Sequence, residues 1–521
     1  MFPRKLAVPI AILALLAVVV QVYATRGGIH IAADSVNYIG AARHLLLGEG
    51  LQDVILTLDG KPMPLTHFPP LYPLLLAGIG LSGIEIPTAA RWLNSLLFGV
   101  NVGLVGLLVA HYTRRSPFFT LLGAFFMLAS VDMLTIHSVA FTEPLFICLT
   151  LLTLWLLALY LERPRWTLLL GAAGCAACAL LTRYVGVALI AAGALGIWCL
   201  SCAALRQKLQ EIGLYVGVAV FPMALWAIHN KLAGGNATDR KAGFYAFPEE
   251  NLRLGLKTIG TWLVPGRVAG IFSGLLVLAC IIGLIVWHRR LARQQERPTR
   301  AAPRPLRALP GLLILYLAVY SATLITSIRF FDPLTALDLR ILSPIYVGTL
   351  LLVLCLAYDL VSWSDARRAS AAVCAIGLLL VAKHLAGAVL WGVKTRHGEG
   401  VGYESAALRQ SRIISRLETL PPTTRIFSNG PDTIYILTGR LASYLPYKTR
   451  SGYLSDVAVM ARQLAAQRGV IIYLNPDVFM EPEISLQSRQ RAIVLPQDLT
   501  AVMPLHLLAL EPEGAIYQLG N

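Results

Sequence analysis

Apolar runs of roughly 17–25 residues, enough to cross a hydrocarbon core of about 30 Å, recur along this chain, and its bases cluster on alternate sides of them. Arg4 and Lys5 precede the first run, Arg114 and Arg115 follow a later one, and Arg163 and Arg165 separate two more. Arg206 and Lys208 come next. Then follow the dense stretch Arg289, Arg290, Arg293, Arg297, Arg300, Arg304 and Arg307, and finally Arg367 and Arg368. Excess Lys and Arg mark cytoplasmic loops, so these clusters are predicted to share the inner side. Left outside are 25–87, the turn around Glu143, 230–265, 329–340 and everything after about 392. Any site is sought there.

The pattern predicts spans near 6–24, 88–112, 117–137, 144–161, 167–182, 185–203, 212–229, 267–287, 309–328, 341–360 and 370–391. The expected fold is thus a polytopic α-helical membrane protein of about eleven transmembrane helices, with the N-terminus cytoplasmic. An extracytoplasmic C-terminal α/β domain completes it. With 56% hydrophobic and 14% charged residues, an ordinary soluble globule is excluded. Arg4-Lys5 before an apolar stretch also has the look of a signal peptide, but the core is long for one, and a retained anchor is expected. The narrowest break is Leu181-Thr182-Arg183-Tyr184; one continuous helix there would invert every later orientation.

The net charge of +16 is accounted for by these loops. The bases are not interleaved with aromatics on one face, which argues against nucleic acid and for contact with lipid head groups. The eight cysteines all fall in predicted spans, so no disulfide is expected. The pairs Cys175/Cys178 and Cys199/Cys202 read as small residues at helix contacts, without the neighbours a metal site needs. Asn236-Ala237-Thr238 is a sequon of a kind that arises by chance.

Two units follow: a membrane domain over 1–391 and a soluble domain over 392–521, the latter long enough, at roughly 110–130 residues, to bury its own core. In the first outer loop, 25–87, Asp34 is expected to cap a helix running to Leu45. A turn-rich loop from Asp53 to Pro64 then leads to Pro69–Pro73 and the short apolar stretch Leu74–Leu81, the second of two interfacial helices. In the tail, a polar helix over Glu404–Leu417 precedes Arg425–Ser428, and Asn429–Asp432 starts another helix. Val470–Leu474 is a strand, and Leu505–Leu510 with Ala515–Leu519 form a terminal hairpin. No phosphate-cradling glycine motif occurs.

Ionisable residues stand out against this apolar background. Glu143, in Thr142-Glu143-Pro144, opens a span at a tight outer turn, where it either complements the helix dipole or serves a site. Arg340 lies at the outer end of another span against the inside bias, and its forked donors suit a phosphate; pairing with Asp338 or snorkelling would also explain it. Arg183 is similar, and His67 beside Pro69-Pro70 is a candidate ligand or hydrogen-bond donor.

The order of these elements resembles the GT-C superfamily of membrane glycosyltransferases, in the branch of protein O-mannosyltransferases and lipid A aminoarabinose transferases. The resemblance rests on Asp34–Tyr38 as Asp-x-x-x-Tyr, Pro69–Pro73 as Pro-Pro-Leu-Tyr-Pro, Thr142-Glu143-Pro144, Leu181–Tyr184 and Arg340-x-Leu-x-Pro, and it covers roughly 1–390. It implies inverting transfer of a sugar from a polyprenyl-phosphate donor to a glycan, lipid or protein acceptor outside the cytoplasm. Asp34 would be the general base, Glu143 would orient the acceptor or a divalent cation, and Arg340 and Arg183 would hold the donor phosphate. Tyr38 and His67 would line the substrate site. Where several members carry paired acids, or an acid or Lys before the Pro pair, this chain has Asp34-Ser35 and His67-Phe68, so no metal ligand set is fixed. The rival from another class is a transporter or flippase of a lipid-linked substrate, which would keep ionisable groups near the bilayer midplane and show two related halves.

Overall fold

The computed structural model describes residues 4–234, 237–238, 240, 242–263, 306–333, 335–363, 367–396, 410–446, 456–475 and 495–520. The expected span 267–287, nearly all of the basic loop 289–307, the Asn236 sequon, Cys280 and the start of the helix expected from Glu404 lie outside the described residues.

Among the described residues, helices α1 (Arg4–Ala24), α4 (Ile86–Tyr112), α7 (Glu143–Glu162), α10 (Leu205–Gly234), α12 (Leu309–Phe330), α13 (Ser343–Trp363) and α14 (Arg367–Arg396) supply seven segments long and apolar enough to cross a membrane. Between α1 and α4 lie α2 (Ala33–Leu46) and α3 (Leu71–Gly80). The run expected as one span over 117–137 is instead α5 (Pro117–Ala129) and α6 (Val131–His137), bent by 56°. Ser130 causes the break: its backbone is extended, and its hydroxyl accepts from the Met133 N–H at 3.5 Å to cap α6. The bent pair makes an eighth candidate span. Two shorter apolar helices, α8 (Trp166–Thr182) and α9 (Val187–Leu200), meet at Arg183, whose extended backbone ends one and opens the short turn before the other. The break expected there is present. Helix α11 (Glu249–Thr261) is polar and follows α10.

The C-terminal part contributes α15 (Arg412–Glu418), β3 (Ile426–Ser428), α16 (Pro431–Thr438), β4 (Ala442–Tyr444), α17 (Val457–Ala466), β5 (Val470–Leu474), α18 (Pro496–Thr500), β6 (Leu505–Glu511) and β7 (Gly514–Leu519). The stretch expected as a loop, Asp53 to Pro64, is instead a hairpin of β1 (Gln52–Leu56) and β2 (Pro62–Pro64). Its turn closes by a Thr57 N–H donated to Lys61 O at 2.9 Å, with Gly60 at φ +86°, where a side chain would be strained. This hairpin completes a seven-stranded sheet ordered β2-β1-β4-β3-β5-β7-β6. Strands β1, β4, β3 and β5 run parallel, while β2, β7 and β6 pair antiparallel at the edges. The sheet therefore draws on both ends of the chain.

Candidate functional site

Four charged side chains from four separate elements meet at one end of the bundle. Asp34 lies in the first turn of α2, Glu143 opens α7, Arg183 sits at the α8–α9 break, and Arg340 precedes α13. Arg340 stands between the two acids: its Nη2 lies 2.6 Å from Asp34 Oδ2, and its Nε donates to Glu143 Oε1 at 2.6 Å. Arg183 Nη1 donates to the same Glu143 oxygen and to Thr142 Oγ1, the latter at 3.0 Å. The Arg340 guanidinium also lies 4.1 Å from the centre of the Phe141 ring. Two carboxylates and two guanidinium groups leave the cluster neutral overall.

Several of these placements replace simpler roles. Asp34 does not cap α2, which begins at Ala33; the cap position is Ala32, whose N–H is taken by Ser35 Oγ at 3.2 Å. Freed from capping, the carboxylate turns to Arg340. Arg340 in turn does not pair with Asp338, which caps the following turn by accepting the Ile341 N–H at 2.9 Å.

Local hydrogen bonds explain why the acids meet. The chain entering α2 runs beside the loop before α7: the His30 N–H donates to Ser138 O at 3.0 Å, and the Ala140 N–H donates to His30 O at 2.9 Å. Asn94 of α4 donates through Nδ2 to Val139 O at 2.6 Å, and its Oδ1 accepts the Tyr72 hydroxyl at 3.2 Å. Seven residues on, and thus on the same helix face, Asn101 donates to Pro144 O at 3.0 Å. The Arg340 loop is held similarly by Asn251 of α11, which donates to Thr335 O at 2.7 Å and accepts the Leu337 N–H at 2.6 Å. Sequence reading missed these amides. Asn94 and Asn101, polar and seven apart within an apolar span, were the signal that marks them.

Glu143 is fully buried, whereas Asp34 keeps 34% of its side chain open and Arg340 21%. Burial pushes the Asp34 carboxyl up, but Arg340 outweighs it, with His67 and Arg183 adding to the effect, so the group stays below its usual range. Burial also works against the charge on Arg340, and Glu143 and Asp34 more than offset it. Tyr38, one turn after Asp34, is buried edge-on against Phe68 and Tyr72, and burial with the Asp34 charge pushes its phenol well up. His67 packs edge-on against Phe68 with ring centres 4.7 Å apart. Thus Asp34, Glu143, Arg183 and Arg340 meet in one ion-pair network, and Tyr38 and His67 lie beside Asp34 at the same end.

A further base lies beside them. Arg240 places its guanidinium 5.5 Å from the centre of the Tyr184 ring, and the Tyr184 hydroxyl donates to Thr66 O at 3.0 Å, next to His67. Among the described residues it pairs with Asp332, at 4.0 Å, and its buried Nε makes no hydrogen bond. It had the signal that singled out Arg340, a base in a segment predicted to lie outside. The donor set does not suit a cation: the Arg340 guanidinium already occupies the position between the two carboxylates. Among the described residues, no group of three His, Cys, Asp or Glu side chains gathers to hold one.

No protein-family model and no curated protein matches the chain. Solved structures do. ArnT from Cupriavidus metallidurans bound to undecaprenyl phosphate superposes with a TM-score of 0.53 over 97% of each chain, at 12% identity. The apo oligosaccharyltransferase of Archaeoglobus fulgidus gives 0.56 over 100% of this chain and 75% of its own, at 10% identity. The arabinofuranosyltransferase AftD from Mycobacteria gives 0.54 at 15% identity, and this chain spans 40% of its length. The chain has the GT-C fold. In that frame the charged cluster joins the segment between α1 and α4, the turn before α7, the α8–α9 break and the loop before α13.

Proposed function

We propose that this protein is an integral-membrane glycosyltransferase. It moves a sugar from a polyprenyl-phosphate donor to an acceptor hydroxyl on the extracytoplasmic face, with inversion at the anomeric carbon. The observation that carries the reading is the Asp34–Arg340–Glu143–Arg183 network, assembled from elements up to 306 residues apart (340 − 34) and left partly open at Asp34. Among similar folds, ArnT was captured with undecaprenyl phosphate, and the Archaeoglobus fulgidus oligosaccharyltransferase AglB with a dolichol-phosphate and an inhibitory peptide.

The chemistry follows from the groups. The acceptor oxygen attacks the anomeric carbon from the side opposite the phosphate. The new C–O bond forms as the bond to the phosphate oxygen breaks, and the electron pair leaves with the phosphate. The acceptor proton passes to the Asp34 carboxylate. A carboxylate held at low proton affinity works late, once the hydroxyl has become acidic by bonding to an electron-poor carbon. Glu143, buried and bonded to both arginines, fixes Arg340 and thereby Asp34. Arg240, whose Nε makes no hydrogen bond and whose Nη1 lies 4.0 Å from Asp332, offers a further guanidinium to a departing phosphate. Arg183 and Arg340 supply the rest of that field.

The broken pair α5–α6 is a feature that a transporter would share. The two readings separate in a reconstituted assay. Purified protein in lipid, given a polyprenyl-phosphate sugar, is expected to release free polyprenyl phosphate and glycosylate an acceptor. Transfer from a nucleotide sugar with no lipid intermediate overturns the donor assignment, and movement of the intact lipid across the bilayer without cleavage supports the transporter.

A further inference from the structure

The C-terminal sheet is fastened to the helix that carries Asp34. Strand β1, which follows α2, pairs in parallel with β4, Ile55 opposite Ala442 and Leu56 opposite Ser443. Arg425, buried at the start of β3, donates to Thr57 O at 2.8 Å and to the Ser443 hydroxyl. Tyr435 on α16 makes the direct contact with α2. Its ring stacks on His44 with centres 6.1 Å apart and planes 22° from parallel, and the Arg43 guanidinium lies 6.0 Å from its centre. The helix approaches because position 40 is glycine: a Cβ there would overlap Val54 of β1 and meet Tyr435 Cε1 at 3.2 Å. Tyr435 belongs to the same buried core as Val36 and Ile39 of α2, while Ile434 and Ile472 build a separate core within the C-terminal part.

We infer that Tyr435 is a positioning residue for transfer, splinting α2 so that Asp34 meets Arg340. The inference rests on the functional reading above. From Asp34 to His44 is ten residues, about 15 Å of helix, so a rotation at one end displaces the other. Displacements of about 1 Å cost on the order of a hundredfold in rate where reacting groups must be aligned. The C-terminal part thereby becomes a component of the catalytic apparatus.

The test uses full-length protein in lipid. Tyr435→Leu is expected to lower kcat about tenfold with the donor KM unchanged, while amides of residues 33–46 exchange faster with deuterium. The pH profile reports on Asp34, which faces Arg340, His67, Arg183 and Tyr38, with Glu143 bonded to the same Arg340. Drawn away from Arg340, it feels burial most, and the acid limb of kcat shifts to higher pH. A loss of fold alone would not move that limb. Tyr435→Phe keeps the stacked ring and is expected to restore both kcat and the limb. The contact is also removed from the other side by the double substitution Arg43→Met, His44→Gln, which is expected to act in the same direction. Normal kcat and an unmoved limb in both variants overturn the inference, as does faster exchange in α2 with full activity. Absence of transfer by the unaltered protein sinks the functional reading instead, and the exchange measurement still reports whether Tyr435 holds α2.

Discussion

At the scale of single residues, the site was legible wherever a charge stood in apolar sequence. Asp34, Glu143, Arg183 and Arg340 each stood out against their surroundings, and the structure brings them together. Their partners were not legible, because which acid meets which base depends on how helices hundreds of residues apart are packed. Asp34→Asn is expected to lower transfer by at least about a hundredfold, the contribution of a general base. It should leave the protein folded, since α2 does not use Asp34 as its cap. Full turnover in that variant would remove the base assignment. The pH dependence has a definite sign. Arg340 holds Asp34 below its usual value of 3.8, so the carboxylate persists as pH falls to that value and is lost only beneath it. The ion pair accordingly stabilises the fold above that value and ceases to do so as pH falls through the depressed one. Arg340→Gln removes the main lowering influence and leaves burial, so the acid limb of kcat is expected to move up; a limb that stays in place would show that another group sets it.

Elements were legible to the extent that their signals are local. Apolar length located most helices, and Thr182-Arg183-Tyr184 marked the α8–α9 break. The α5–α6 bend was missed because Ser130 is a common residue in apolar helices, and only its capping bond reveals a break. Strands β1 and β2 were missed for a different reason. At five and three residues, with Gly60 and Pro62 between and within them, they read as a turn; a partner almost 400 residues downstream makes β1 a strand. Helix α4 carries the testable case. Asn94 ties Tyr72 to the carbonyl of Val139, and Asn94→Leu strands these buried groups at a cost of about 1–3 kcal/mol each. A lower melting temperature is expected, with a fall in kcat larger than any change in donor KM, because the loop that delivers Glu143 loses its clamp. Unchanged kcat would show that the His30 bridge and Asn101 suffice to hold the loop.

The whole molecule is constrained by parity. Strand β1 belongs to the loop after the first span and pairs with β4 from the C-terminal part, so both ends of the outer machinery must lie on one side of the membrane. The meeting of Asp34, Glu143, Arg183 and Arg340 places three further turns on that same side. Packing groups these segments together, and the positive-inside expectation would put the opposite ends of the same helices, with the exposed Arg114 and Arg115 and the turn with Arg163 and Arg165, in the cytoplasm. Single cysteines in a cysteine-free background test both statements with a reagent that cannot cross the membrane. Exposed Ser82 and Thr419 are expected to label in intact cells when changed to cysteine, and exposed Ala204, beside Arg206 and Lys208, only after the membrane is opened. The reverse pattern would invert the protein and put sugar transfer in the cytoplasm, where nucleotide sugars would compete as donors. Labelling of Ser82→Cys without Thr419→Cys would break the pairing of β1 with β4, and with it the route by which the C-terminal part reaches Asp34.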